Sequence, residues 1–250
     1  MDQDKNAAVL IISDLHANWE ALEAVAADAE GRYQRIFCLG DLVGYGADPN
    51  RVVEWARAHT AAIVRGNHDK ACTGLDSTEG YNPVARISTE WTSRQLTVEN
   101  FDYLQRLPRG PLPVEGFGPS FDLAHGSPLD EDQYLIAPED AAPLRAYLET
   151  RLTFIGHTHV QGGFLLARGG TRQIDPAGTL ELEPDHFYLI NPGSVGQPRD
   201  EDPRAAYVIY TPEARTIEYR RVRYDVETAA RKILGAGLPR ALAARLFEGV

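Results

Sequence analysis

The residues of this 250-residue chain best placed to do chemistry are histidines and their immediate neighbours. Five of the seven histidines, His16, His68, His125, His157 and His159, fall in short polar clusters that follow apolar runs, and the same clusters hold Asp14, Asp41 and Asn67. Imidazole, carboxylate and amide oxygen together suit divalent metals of intermediate hardness, and no thiolate belongs to the set. Asp14 and His16 are two residues apart, as are His157 and His159, so an extended loop directs each pair toward one point. A single Asp or His at a strand end is ordinarily a turn residue or a cap. Eight of them gathered in five clusters argue for a site. His59, near a helix end, and His186, in LEPDHF, lack such company and read as solvated surface residues.

The elements that must position these residues are legible from the same pattern. AAVLII runs into SDLHAN, RIFCL into GDLVGYG, and AAIVR into GNHD, each a buried strand ending in a polar loop. NWEALEAVAADAE and DPNRVVEWARAHT lie between them with helical spacing and helix-start residues, so the order βαβαβ predicts parallel strands whose carboxyl ends share a crevice. From about 73 to 119 the strand pattern lapses into a helical excursion. FDLAHG, LTFIGHTH, GGFLLAR, FYLINPGS, AAYVIYT and TIEYRRVRY then predict a mostly antiparallel sheet in the second half. The segment from about 226 to 250 reads as two helices, broken by Gly235, Gly237 and Pro239.

Composition narrows the function classes. No stretch approaches the roughly 20 apolar residues that span a bilayer, and MDQDKNAAVL does not resemble a signal peptide, so the expected location is cytoplasmic and no membrane partner is expected. A formal net charge of −11 argues against an extended nucleic-acid surface. Cys38 and Cys72 are not expected to form a disulfide. There is no G-x-x-x-x-G-K-S/T loop and no G-x-S-x-G elbow, which removes P-loop NTPases and serine hydrolases of that type.

The ordered series D-L-H (14–16), G-D (40–41), G-N-H-D (66–69), H-G (125–126) and G-H-T-H (156–159) resembles the calcineurin-like metallophosphoesterase superfamily. NPGSVGQPRD (191–200) further resembles its compact bacterial and archaeal branch of small phosphodiesterases. The resemblance implies one α/β domain over residues 1–250, a four-layer α/β/β/α sandwich with two mixed β-sheets. It implies one divalent metal on Asp14, His16, Asp41 and His159, and a second on Asp41, Asn67, His125 and His157, the ions being Mn, Fe, Co, Ni or Zn. A hydroxide bridging the two would attack phosphorus, with His68 stabilising the phosphoryl group or protonating the leaving oxygen. The expected substrate is a small phosphate ester, a phosphodiester rather than a monoester. The alternative is a nucleotide or dinucleoside polyphosphate phosphatase or pyrophosphohydrolase, and a non-catalytic scaffold is the reading from outside enzymology.

The chain also departs from one branch of that superfamily. Protein Ser/Thr phosphatases read G-D-x-V-D-R-G where this chain has Gly40-Asp41-Leu42-Val43-Gly44-Tyr45-Gly46. The aspartate that would orient His68 and the arginine that would grip phosphate are both missing. Asp69 is a weak substitute for the first. Tyr45, which could equally be packing, and Arg199, which could equally pair with Asp200 or Glu201, are the candidate substrate-binding residues. Ala17 stands where a glycine is commoner, and Asn191, Gly193 and Ser194 read as turn residues.

Overall fold

The computed structural model describes residues 8–250. Its first strand, β1 (Val9–Ile12), is buried along its whole length, as a central strand covered on both faces must be. Parallel to it lies β2 (Arg35–Cys38), and parallel to that β3 (Ala62–Ile63). The connections are α1 (Trp19–Ala29) and α2 (Pro49–His59). The Asn18 side chain caps α1 by accepting the Ala21 N–H, and the helix buries Ala21, Leu22, Val25 and Ala29 against the sheet. In α2, Pro49 fills the first turn, where its missing N–H costs nothing.

The chain then leaves the sheet through α3 (Asn67–Cys72), α4 (Pro83–Gln95) and α5 (Val98–Gln105). The excursion is not wholly helical, because it ends in β4 (Leu112–Val114), which joins a second sheet. That sheet also contains β5 (Phe121–Leu123), β6 (Leu152–Phe154), β7 (Gly162–Ala167), β8 (Gly170–Ile174) and β10 (Phe187–Asn191). The short α6 (Pro138–Ala141) and the 3-10 turn Ala142–Ala146 precede β6. Three late strands, β9 (Thr179–Glu181), β11 (Ala205–Thr211) and β12 (Thr216–Val222), return to the first sheet. The strand orders are β3-β2-β1-β11-β12-β9 and β4-β5-β6-β10-β7-β8.

Both sheets are therefore mixed, which corrects the expectation of one mostly antiparallel sheet in the second half. Alternation within a strand reports which face is buried, not which strand lies beside it. In particular β5, β6 and β10 run parallel, matching the parallel trio β1, β2 and β3 across the sandwich.

Buried side chains mark the layers. Leu10, Ile12 and Cys38 face α1 and α2, whereas Val9, Ile11, Phe37, Phe121, Phe154 and Tyr210 fill the space between the sheets. Leu135, Ala141 and Leu144 cover the outer face of the second sheet. The result is the expected α/β/β/α sandwich, with α7 (Val226–Gly235) and α8 (Arg240–Glu248) as a hairpin at one end, against Tyr45. Phe154, fully buried, meets the rings of Phe121 and Tyr210 at 5.5 and 5.8 Å between centroids, so it touches both sheets. Phe154→Ala is expected to lower unfolding free energy by about 3–5 kcal/mol, checked by urea denaturation. A change below about 1 kcal/mol would mean that the layers are not held together there.

Candidate metal centre

Six parallel strands deliver their carboxyl ends to one rim of the sandwich, and the candidate residues stand there. Asp14 and His16 follow β1, Asp41 follows β2, and Asn67 and His68 open α3 just after β3. His125 follows β5, His157 and His159 follow β6, and the 191–200 loop follows β10. One atom each from Asp14, His16, Asp41 and His159 lies within 4.8 Å of the others, and the same holds for Asp41, His125 and His157. Asp41 belongs to both groups. Asn67 joins the second, its Oδ1 being 3.2 Å from His125 Nε2.

The local backbone is bent to achieve this. Asp14, His16, Asp41, His157 and His159 all have left-handed φ between 45° and 68°. Such conformations are costly for residues with a Cβ and persist where the surroundings enforce them. Ala17, at φ 50°, shares the same turn without glycine. Gly66 is required for a different reason: a Cβ there would collide with the Asp41 carboxylate.

The hydrogen bonds fix which atoms face the centre. His16 Nδ1 donates to Val43 O at 3.1 Å, His125 Nδ1 to Leu39 O at 2.8 Å, and His159 Nδ1 to Gln197 O at 2.6 Å. A carbonyl can only accept, so each ring carries a proton on Nδ1 and turns Nε2 inward, where it offers a lone pair whenever the ring is neutral. In His157 the roles are exchanged, because Nε2 donates to Asp132 O at 3.1 Å and leaves Nδ1 free. Asp14 Oδ2 accepts the His157 N–H at 3.2 Å and Asp41 Oδ1 the His68 N–H at 2.8 Å. The other oxygens, Asp14 Oδ1 and Asp41 Oδ2, are buried without any hydrogen-bond donor.

The result is a buried pocket of lone pairs. His16 Nε2 and His159 Nε2 are 3.1 Å apart, with Asp14 Oδ1 at 3.9 and 3.3 Å from them. Asp41 Oδ2 lies 3.7 Å from His16 Nε2 and 3.4 Å from His125 Nε2. Burial alone would raise both carboxyl pKa values, but His159 for Asp14, and His125 and His68 for Asp41, hold them below the usual range. Burial lowers His16, His159 and His157, the last to about 3, so these imidazoles are neutral donors. Burial opposes the charge on His125 as well, yet Asp41 raises it to about 10. Two anionic carboxylates and the neutral imidazoles of His16, His157 and His159 converge here, and a divalent cation would take the place of the proton that Asp41 holds on His125.

His68 stands beside this group. Burial lowers its pKa to about 4, so its imidazole is neutral at pH 7. Nε2 meets the Tyr45 hydroxyl at 3.0 Å, while Nδ1 is buried without a partner and packs on Gly44. A Cβ at Gly44, where φ is +90°, would come within 2.5 Å of that nitrogen, so no larger residue fits in the place of the missing aspartate.

Asp69 does not orient His68. Its carboxylate accepts the N–H groups of Asp41 at 2.9 Å, Leu42 at 2.9 Å and Gly66 at 3.0 Å, tying the loop after β2 to the loop after β3. Burial and then the Asp41 charge raise it to about 7. Tyr45 is packed among the C-terminal helices and also reaches Arg199, whose Nη2 lies 3.3 Å from its hydroxyl. Arg199 pairs with neither Asp200 nor Glu201, because Asp200 is taken by Arg221.

Asn191 bonds Gly156 and Thr158, and Ser194 donates to Asp14 O at 2.9 Å, so this loop props up the loops that carry Asp14 and His157. His59 is exposed and stacked on Trp55, and His186 lies beside Glu183; neither belongs to the two groups above. A cleft of about 390 Å³ opens over Asn67, His68 and His157, walled by Tyr45, Tyr81 and Tyr134. Tyr81, which accepts from Asn67 Nδ2 at 2.7 Å, and Tyr134, whose ring lies tilted against His157 at 3.9 Å between centroids, have no sequence motif around them.

Similarity to known proteins follows the same lines. Residues 8–215 match the calcineurin-like phosphoesterase superfamily domain. Uncharacterized protein MJ0912 of Methanocaldococcus jannaschii is 39% identical over 246 residues, covering 96% of this chain and 98% of its own length. The crystal structure of a metallophosphoesterase from Sphaerobacter thermophilus shares 39% identity with a TM-score of 0.84, covering 98% of this chain and 100% of that one. Hypothetical protein PH1004 of Pyrococcus horikoshii shares the fold at 17% identity, with a TM-score of 0.80 over 97% of this chain and 98% of its own.

Asp41 and His68 offer a direct contrast. Asp41→Asn removes charge from the residue common to both groups, so elemental analysis after dialysis should find at least one equivalent of bound transition metal fewer than in the unaltered protein. His68→Ala removes no converging lone pair and should retain the full content. Equal metal loss in both variants would contradict this division.

Proposed function

The chain belongs to the calcineurin-like phosphoesterase superfamily, and from that premise we propose that it hydrolyses a small phosphodiester with two divalent cations. Asp14, His16, Asp41 and His159 would hold one cation, and Asp41, Asn67, His125 and His157 the other. The cations would be Mn, Fe, Co, Ni or Zn, in keeping with a donor set rich in imidazole. The chemistry that such a pair supplies when bound is Lewis-acid polarisation of phosphoryl oxygens and activation of water for in-line attack. The observation that carries the reading is the pair of carboxylate oxygens without a close hydrogen-bond donor, Asp14 Oδ1 and Asp41 Oδ2, facing imidazoles whose Nδ1 protons are held on the far side.

The remaining residues have work that the chain does itself. His68, neutral and buried, donates an N–H to the phosphoryl group instead of a proton to the leaving oxygen. Tyr45 holds His68 Nε2 by its hydroxyl and gives up that contact to substrate. Arg199, whose Nη2 lies 3.3 Å from the same hydroxyl, brings a guanidinium to the substrate from a different loop. The tyrosines over the cleft exclude water from a small organic ester. A scaffold reading is disfavoured because every converging donor is present together with His68. The two buried, unpaired thiols fit a reducing, cytoplasmic setting.

A substrate panel separates this from the nucleotide or dinucleoside polyphosphate alternative, which shares every ligand. Chelation should abolish hydrolysis, and Mn, Co or Ni should restore it better than Mg. Bis(p-nitrophenyl) phosphate should be cleaved with a higher kcat/KM than p-nitrophenyl phosphate, and a monoester preference of roughly tenfold would overturn the diester assignment. His68→Ala should lower kcat by about 10²–10⁴ on esters of good and poor leaving groups alike. A loss confined to alkyl esters would assign His68 the role of general acid instead.

A further inference from the structure

The hairpin α7–α8 lies beyond the residues that match the family domain, and it packs Ile233, Leu238, Leu242 and Leu246 in one cluster with Tyr45. That packing brings a second guanidinium to the rim. Arg199 Cζ is 5.8 Å from the centroid of the Tyr45 ring and Arg245 Cζ is 5.7 Å from it. Arg199 Nη2 donates to the Tyr45 hydroxyl at 3.3 Å and to Gln197 Oε1 at 3.2 Å, and Arg245 Nε donates to the main-chain oxygen of Val250 at 2.6 Å.

Among the described residues, no side-chain carboxylate pairs with either arginine. The chain has 36 acidic residues, and its other partly buried arginines find them: Arg65 binds Glu131 and Arg221 binds Asp200. Burial, and next the charge of Arg199, lower the pKa of Arg245. Two guanidinium groups thus approach one aromatic ring, and the Nε of Arg199 is buried without a hydrogen-bond partner. The ring offsets part of their repulsion, but a polyatomic anion between two planar forks of donors offsets far more.

We propose that Arg199 and Arg245 form an anion subsite beside the reacting position, which selects esters carrying a second phosphate-like group. The Tyr45 hydroxyl, 3.3 Å from Arg199 and 3.0 Å from His68 Nε2, places that group next to the phosphoryl being attacked. The assignment rests on the phosphoesterase reading above and adds which phosphoesters are preferred. It gives the C-terminal hairpin a role in specificity, since α8 supplies one of the two donors.

The test uses two matched esters, thymidine 5′-(p-nitrophenyl phosphate) with and without a 3′-phosphate, which share the reacting bond and the leaving group. The unaltered enzyme should favour the phosphorylated ester in kcat/KM. Arg245→Met should lower that value about tenfold to a hundredfold more than the value for the other ester, the range for a lost charge-assisted hydrogen bond. Arg245→Lys, which keeps the charge and the aliphatic stem, should retain part of the preference. Calorimetry with thymidine 3′,5′-bisphosphate and thymidine 5′-monophosphate gives a reading independent of turnover: the bisphosphate should bind more tightly, and Arg245→Met should erase the difference. Equal losses on both esters in Arg245→Met, or equal binding of both nucleotides by the unaltered protein, would overturn the subsite. Tighter binding of the bisphosphate with no hydrolysis of either ester would uphold the subsite and sink the phosphoesterase reading.

Discussion

The structure is organised around two carboxylates whose inward oxygens have no donor. Asp14 Oδ1 and Asp41 Oδ2 are buried, and the atoms around them are imidazole nitrogens. Gathering such groups away from water opposes folding, since each loses hydration and gains no hydrogen bond in return. Bound cations would restore the balance, and the chain holds these side chains in place by other means.

Those means are in the loops and the layers beneath them. Each carboxylate spends its second oxygen on a backbone N–H, and four imidazoles spend their outer nitrogens on carbonyls. Several of these bonds cross the sandwich: Leu39, after β2, orients His125, after β5, while Asp14 accepts the N–H of His157 from the other sheet. The left-handed conformations at Asp14, His16, Asp41, His157 and His159 are sustained by this cross-linking and by Asp69, which gathers three N–H groups at the junction of two loops. Phe154, Phe121 and Tyr210 between the sheets keep the two halves at a fixed separation.

Much of this was legible in the sequence because an apolar run that stops at a polar cluster reports a strand end and its loop together. The five clusters, β1 to β3 and the first two helices follow from local pattern alone. What escaped is long-range. Tyr45 meets Arg199 across 154 positions, and no local signal announces it. Asp69 read as a weak partner for His68 because they are adjacent, whereas its charge is directed at Asp41, Leu42 and Gly66. The return of β9, β11 and β12 to the first sheet was hidden because alternation does not name a neighbour, and β4 was hidden by its brevity. Arg245 has no motif around it, and only the fold of the C-terminal hairpin places it at Tyr45.

The central claim is that Asp14, Asp41 and the inward imidazole nitrogens hold a pair of cations that share Asp41. Anomalous diffraction from crystals of the protein grown with manganese tests it most directly. The account predicts two manganese peaks on either side of the Asp41 carboxylate, bound by Nε2 of His16, His125 and His159 but by Nδ1 of His157, with His68 bound to neither. A single peak, peaks lying away from Asp14 and Asp41, or ligation through His68 would contradict it.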